Sequence, residues 1–272
     1  MGSGRGTIVT RIDAGGISLG YEIRGGGDPL LLIHGLGYGR WGWHWQVPAL
    51  SAQFRVIAFD NRGIGESDAP PGPYTVAQMA GDAAALLDAL GIRRAHVIGT
   101  SLGGFIAQTL AVERPDLVDR LVLACTGLGG PRYVPMPEVT VRLLAELPSL
   151  PSEERLGRAT RNAFTAGFVR QRPDVINQIL EFRTAEDQPY EQWGWQAAAG
   201  AAFDLSDRVG TIRSETLVIT GVEDTVVDLK NSRLLAEEIP NARLVEMAGG
   251  HLFFIEEADT FNRIVASFLA GV

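Results

Sequence analysis

The reading of this chain turns on the stretch Val97-Ile98-Gly99-Thr100-Ser101-Leu102-Gly103-Gly104. Residues 95–98 are mostly apolar and bounded by polar residues, which predicts a short strand. Residues 105–112 are apolar and free of glycine, which predicts a helix that Pro115 stops. A serine on so tight a strand-to-helix turn takes a strained backbone, and side chains two residues to either side would crowd it. Glycine at 99 and 103 removes the crowding. The helix start then directs free N–H groups and the positive end of its dipole at the Ser101 hydroxyl, lifted to the edge of the sheet. A glycine-rich turn with a merely capping serine has the same local pattern, so the rest of the chain decides between the two.

Bulk properties narrow the choice. The chain has 272 residues, enough for one large α/β domain with an insertion, and 46% are hydrophobic, enough for a sizeable core. A formal net charge of −8 argues against nucleic acid and against an anionic membrane surface, both of which ask for a basic face. No apolar run is long enough to span a membrane, and Met1-Gly2-Ser3-Gly4-Arg5-Gly6 lacks the apolar core of a signal peptide. With the single cysteine, Cys125, in an apolar strand, these features predict a cytoplasmic protein with an inert buried thiol.

Working outward from the turn, Leu30-Leu31-Leu32-Ile33, Arg55-Val56-Ile57-Ala58-Phe59 and residues 120–125 read as strands buried on both faces of a parallel sheet. Residues 75–90 read as a helix with Thr75 and Gln78 as its capping box and Gly91 as its stop. Before them, residues 1–30 alternate about Ile8, Val9, Ile12, Ile17, Leu19, Tyr21 and Ile23, with Gly15-Gly16 as a turn, which predicts an antiparallel opening pair. After them, residues 138–200 show helical periodicity (139–147, 153–168, 173–182 and 190–202) and no strand. We therefore expect core residues 1–129 and 206–272 with a helical lid inserted at 130–205. Thr216-Leu217-Val218-Ile219-Thr220-Gly221 and Arg243-Leu244-Val245-Glu246-Met247 return to the sheet, and an amphipathic helix over 259–269 closes the chain.

Chemistry-bearing residues fall at the ends of these strands. Glu223-Asp224 follows one strand and Gly249-Gly250-His251 another. Strand ends of a parallel sheet converge on one edge, so Ser101, Asp224 and His251 can meet there. Serine is a weak nucleophile that needs a base, histidine titrates near neutrality, and a carboxylate fixes the histidine tautomer. Asp228 is the alternative acid. His34-Gly35-Leu36-Gly37 ends the Leu30–Ile33 run, and its glycines let backbone N–H groups turn inward. The N–H groups of Leu36 and Leu102 are the expected oxyanion donors. His34 itself is read as a brace for this loop. Asp60 and Arg62, in Asp60-Asn61-Arg62-Gly63-Ile64-Gly65-Glu66-Ser67-Asp68, are read as holding theirs. Trp41, Trp43 and Trp45 are expected to form a partly exposed aromatic wall. Tyr38, Trp41, Phe164 and Trp193 are expected to line the substrate pocket.

Together, His34-Gly35-Leu36-Gly37, the Asp60–Ser67 loop, Gly99-Thr100-Ser101-Leu102-Gly103-Gly104, Gly221-Val222-Glu223-Asp224 and Gly250-His251 resemble the α/β-hydrolases over nearly the whole chain, in the order Ser, Asp, His. That resemblance implies a mostly parallel sheet flanked by helices, with Ser101 as nucleophile, Asp224 as acid and His251 as base. Within the superfamily the chain is most similar to esterases and lactonases such as 3-oxoadipate enol-lactonases, acyl-homoserine-lactone-degrading esterases and cofactor-free haloperoxidases. Serine at the turn disfavours haloalkane dehalogenases and epoxide hydrolases, which carry aspartate there.

The expected activity is hydrolysis of carboxylic esters or lactones with an apolar acyl part through an acyl-enzyme on Ser101. C–C bond hydrolysis, lyase or perhydrolase chemistry on the same triad, and a non-catalytic ligand receptor, are the alternatives. No cofactor is expected, and four scattered histidines offer no metal-ligand pair. The expected partner is a small-molecule substrate, with the protein a monomer or homodimer. Arg132, Arg155, Arg158 and Arg161 are read as a solvated face.

Overall fold

The computed structural model describes residues 10–186 and 188–272; Ile8, Val9 and the Met1–Gly6 stretch lie outside the described residues. A run such as Leu30-Leu31-Leu32-Ile33 sends alternate side chains to opposite faces of a sheet, so it needs cover on both. That cover decides the architecture. In chain order the elements are β1 (Thr10–Asp13), β2 (Ser18–Arg24), β3 (Asp28–Ile33), α1 (Val47–Leu50), β4 (Phe54–Phe59), α2 (Val76–Ala89), β5 (Ala95–Thr100), α3 (Leu102–Glu113) and β6 (Val118–Ala124). Five helices follow: α4 (Glu138–Glu146), α5 (Ser152–Asn162), α6 (Ala166–Gln171), α7 (Pro173–Ala185) and α8 (Tyr190–Ala201). The chain then closes with β7 (Glu215–Gly221), α9 (Leu229–Glu238), β8 (Ala242–Met247), α10 (Phe253–Glu256) and α11 (Ala258–Ala270).

The eight strands form one sheet in the order β1-β2-β4-β3-β5-β6-β7-β8. β1 and β2 run antiparallel, β2 is antiparallel to β4, and every pair from β4 to β8 is parallel. On one face Met79, Leu86 and Leu87 of α2, Ile106 and Leu110 of α3 and Leu235 of α9 pack on Leu31, Ile33, Val97 and Leu121. On the other, Phe253 and Phe254 of α10 and Phe261 and Val265 of α11 pack on Leu30, Leu32, Ile98 and Val122. Each such fully buried side chain contributes about 2 kcal/mol of transfer free energy. The α2 capping box forms as expected: Gln78 N–H donates to Thr75 Oγ1 at 3.1 Å and Thr75 N–H to Gln78 Oε1 at 2.9 Å.

Two expectations about helices are corrected. The helix after β5 begins at Leu102, not 105, so Gly103 and Gly104 lie inside its first turn. Close packing overrides helix propensity there, as the site geometry below makes plain. The single helix expected over 153–168 is two, α5 and α6, interrupted at residues 163–165. Thr165 starts the second by accepting a hydrogen bond from Phe168 N–H at 3.2 Å. Of the five helices between β6 and β7, α4, α5, α7 and α8 share a cavity with the loops after β3, β5, β7 and β8, at the edge where the parallel strands end.

Candidate active site

The turn after β5 holds Ser101 at φ 53°, ψ −120°, a conformation that costs a non-glycine residue about 1–3 kcal/mol. Its surroundings explain how it persists. A Cβ on Gly103 would fall on the Ile33 carbonyl oxygen, one on Gly99 on the Gly103 carbonyl, and one on Gly104 would lie 2.6 Å from Thr126. Only glycine lets α3 approach β3 so closely. Ser101 N–H donates to Ala124 O at 2.9 Å, and the Thr126 hydroxyl donates to Ser101 O at 2.9 Å, so the strained peptide is held from both sides.

Asp224 and His251 meet at the same edge. Asp224 Oδ1 accepts from the N–H groups of Val226 at 2.7 Å and Val227 at 2.9 Å, which aims Oδ2 at His251 Nδ1, 2.8 Å away. The carboxylate is fully buried and His251 is 7% exposed. A proton on Nδ1, held by the carboxylate, leaves Nε2 as an acceptor. Asp228, the alternative acid, instead caps α9 by accepting from Lys230 N–H at 2.9 Å.

Ser101 and His251 open onto a cavity of about 640 Å³. Leu36 and Leu102 line it beside Ser101. Most of the remaining wall is apolar, with Phe105, Leu143, Leu147 and Phe203 among its members. His34 lies beneath it, stacked on Tyr38 at 4.8 Å, with Nδ1 accepting from Gly35 N–H at 2.7 Å. Burial, and then the neighbouring His251 charge, lower its pKa to about 3, so it is a neutral brace. Burial likewise raises the Cys125 thiol well above its ordinary value. Cys125 also lines the cavity, at φ 43°.

The loop after β4 is scaffolding. Asp60 pairs with the Arg40 guanidinium and accepts from the Arg40 and Glu66 N–H groups. Asn61 Nδ2 donates to His34 O at 3.1 Å, and Arg62 makes a two-pronged pair with Asp82, both contacts at 2.6 Å. Gln196 of α8 donates to Arg62 O at 2.7 Å and so ties the helical segment to this loop.

Of the residues expected to line the pocket, Tyr38 and Trp193 face the cavity. Trp41 does not: it packs against Tyr38 and Phe182 and lines a smaller hollow of about 60 Å³ beside Glu186. Phe164 is in the core, stacked on Phe168 at 5.2 Å, because the break at 163–165 turns it inward. Of the tryptophan cluster, Trp41 and Trp45 are partly exposed as expected, but none of the three lines the cavity. Trp43 is fully buried against His34 and Phe254.

Sequence reading missed Arg183 of α7. It lines the cavity, lies 5.0 Å over the Tyr38 ring and donates to Thr160 Oγ1 at 3.0 Å. Among the described residues it has no carboxylate partner within ion-pair distance. Arg132 and Arg158 pair with Glu238 and Glu146 at the surface, as expected of a solvated face. Arg155 instead lies over the Tyr190 ring. Arg183 sits on a weakly amphipathic helix with polar neighbours, and no spacing sets it apart from them. Among the described residues no cluster of His, Cys, Asp or Glu could hold a metal ion, and no helix is long and apolar enough to cross a membrane.

A sheet of this order, with a serine on a strained turn after β5 and a buried Asp–His pair after β7 and β8, defines a hydrolase of the α/β class. Residues 28–258 match the alpha/beta hydrolase fold family, and the chain belongs to it. It is 31% identical to the 2-hydroxy-6-oxo-6-phenylhexa-2,4-dienoate hydrolase of Comamonas testosteroni, over 96% of this chain and 94% of that one. It is 32% identical to the poly(3-hydroxyalkanoate) depolymerase of Ectopseudomonas oleovorans, over 89% and 84%. The crystal structure of the enol-lactonase from Burkholderia xenovorans LB400 superposes with a TM-score of 0.87 at 32% identity, covering 96% of this chain and all of that one.

Proposed function

We propose that this hydrolase cleaves carboxylic esters or lactones with an apolar acyl part, through an acyl-enzyme on Ser101. The observation that carries the reading is the 2.8 Å contact between Asp224 and His251, whose imidazole lines the same largely apolar cavity as Ser101. Ser101 Oγ attacks the substrate carbonyl carbon as its proton passes to His251 Nε2. The carbonyl oxygen becomes an oxyanion held by the N–H groups of Leu36 and Leu102, the second at the start of α3 where the helix dipole adds to the field. His251 then gives the proton to the departing alkoxide, leaving Ser101 acylated. Water attacks the acyl-enzyme, its proton taken by His251, and the acid leaves as Ser101 Oγ recovers a proton. Asp224 stabilises the imidazolium at both stages. In this arrangement Ser101 Oγ makes no hydrogen bond to His251, a contact that tightens when substrate fills the site. The similarity to an enol-lactonase and to a polyester depolymerase supports this bond class.

Arg183 favours a second reading, C–C bond hydrolysis of an anionic substrate. It places a positive charge without a carboxylate partner in a largely apolar cavity, and one relative is named for a dienoate, which carries a carboxylate at neutral pH. A hydrolysis panel separates the two: p-nitrophenyl esters of graded length, an acyl-homoserine lactone, an enol-lactone and a 2-hydroxy-6-oxo-dienoate, each with Ser101→Ala beside the parent. Turnover of esters or lactones that Ser101→Ala abolishes is the expected result. Turnover of the dienoate alone, lost in Arg183→Leu, would replace the first reading with the second.

A further inference from the structure

The loop carrying His251 is bonded to the interruption between α5 and α6 on both sides of the histidine. Ahead of it, Gly250 N–H donates to Glu256 Oε1 at 2.9 Å. The same oxygen accepts Thr165 N–H at 3.0 Å, and Oε2 accepts the Thr165 hydroxyl at 2.7 Å. Behind it, Leu252 N–H donates to Ala163 O at 2.8 Å. The two backbones touch: a Cβ on Gly250 would stand 3.1 Å from Ala163 O, Phe164 C and Thr165 N.

Glu256 is half-buried, and among the described residues no cation lies within ion-pair distance of it. Its carboxylate is met by two backbone N–H groups and one hydroxyl, which fix its orientation. A carboxylate that joined only α10 to its own loop would not need Thr165. One that only capped α6 would not need Gly250.

The acid is tied to the same place. The Thr225 hydroxyl, next to Asp224, donates to Asn162 O at 2.8 Å, while Thr225 O accepts the Thr140 hydroxyl. Asn162 Nδ2 closes the set on Thr140 Oγ1 at 2.7 Å. Residues 162–165 of the helical segment therefore touch the chain immediately beside both Asp224 and His251.

We propose that Glu256 is a positioning residue for His251, and that through it the junction at 163–165 sets where the imidazole stands relative to Ser101. The inference rests on Ser101 and His251 being the nucleophile and base. It follows that this junction does not swing aside to admit substrate, because moving it would pull the base from its place.

The test reads Ser101 activation directly, through the rate at which a fluorophosphonate labels the purified protein across pH. It is measured beside kcat, KM and Tm for Glu256→Ala, Glu256→Gln and Thr165→Val. Glu256→Ala should slow labelling and lower kcat by roughly 10-fold to 100-fold, with KM little changed and the pH midpoint of labelling displaced. Glu256→Gln should recover most of the rate, since its amide oxygen still accepts from Gly250. Thr165→Val, which keeps the N–H bond and loses the hydroxyl, should fall between them. Labelling by Glu256→Ala at the parent rate with the parent midpoint, whatever its Tm, would reduce Glu256 to a stabilising contact and overturn the inference. Should Glu256→Ala fail to fold, unchanged labelling in Thr165→Val overturns it equally. A parent protein that is not labelled at Ser101 would instead strike the reading of the nucleophile, and this inference with it.

Discussion

The turn at 99–104 and the helical segment at 138–201 face each other across one cavity, and they are built on opposite terms. Around the turn nearly every residue is buried, and three glycines sit where a single added carbon would meet a carbonyl or a side chain. In the segment, α4 buries only Thr140, α5 only Gly157 and Thr160, and α6 nothing. A Cβ on Gly194 of α8 would meet nothing within 4 Å. The proposed nucleophile is thus seated where change is least tolerated, and much of the cavity wall hangs from elements with room to vary.

The hardest way to break that contrast is to exchange the two aspartates after β7. Asp224→Asn should cut kcat by about 10⁴-fold, because an amide can hold His251 in the wrong tautomer. Asp228→Asn, a change at a helix cap, should leave kcat within about twofold, since asparagine caps as well as aspartate. Steady-state rates on the best substrate of the panel check both.

Next in size is Gly103→Ala, where the methyl meets the Ile33 carbonyl. Urea unfolding should show a loss of about 3 kcal/mol, with activity falling further as Leu102 N–H is displaced.

Two buried groups in different parts of the molecule should also shift stability with pH in opposite senses. Glu186, at the end of α7, is raised to about 7 by burial and then by Asp60. The folded state therefore holds its proton more tightly than the unfolded state, and stability is lost as pH rises through 7. Glu186→Gln should raise Tm above pH 7 and leave it nearly unchanged below the ordinary value of 4.5. His34, beneath the cavity on the sheet side, is lowered to about 3 from 6.5. Its contribution is complete above 6.5 and disappears as pH falls towards 3, so His34→Asn should flatten the acid limb of the Tm–pH curve.

The smallest effect is expected at Gly194→Ala. A helical glycine with open space beside it should gain about 0.5–1 kcal/mol in stability from the substitution, the reverse of the outcome at Gly103.

Much of the sheet was legible because its central strands are apolar runs, and because Ser101 and Asp224 each follow such a run while His251 follows the alternating edge strand β8. The capping box of α2 was legible for the same local reason. What the sequence hid depends on contacts between distant parts. The break at 163–165 has no proline or glycine to announce it, and exists where Leu252 N–H claims the Ala163 carbonyl and the Glu256 carboxylate claims the Thr165 N–H. Phe164 and Trp41 looked like pocket residues because aromatic content says nothing of direction. Arg183 looked like any helical arginine until α7 laid it over Tyr38.

Ser101 and Cys125 are the non-glycine residues with positive φ among those described, at the ends of the adjacent strands β5 and β6. Each holds a conformation that glycine would adopt without strain. Under laboratory selection for heat resistance alone, with no demand for turnover, both positions should drift to glycine. Under selection for turnover, glycine should be admitted at 125 and refused at 101. A library sorted under those two regimes would therefore separate, at neighbouring strand ends, strain that the chemistry requires from strain that the chain merely tolerates.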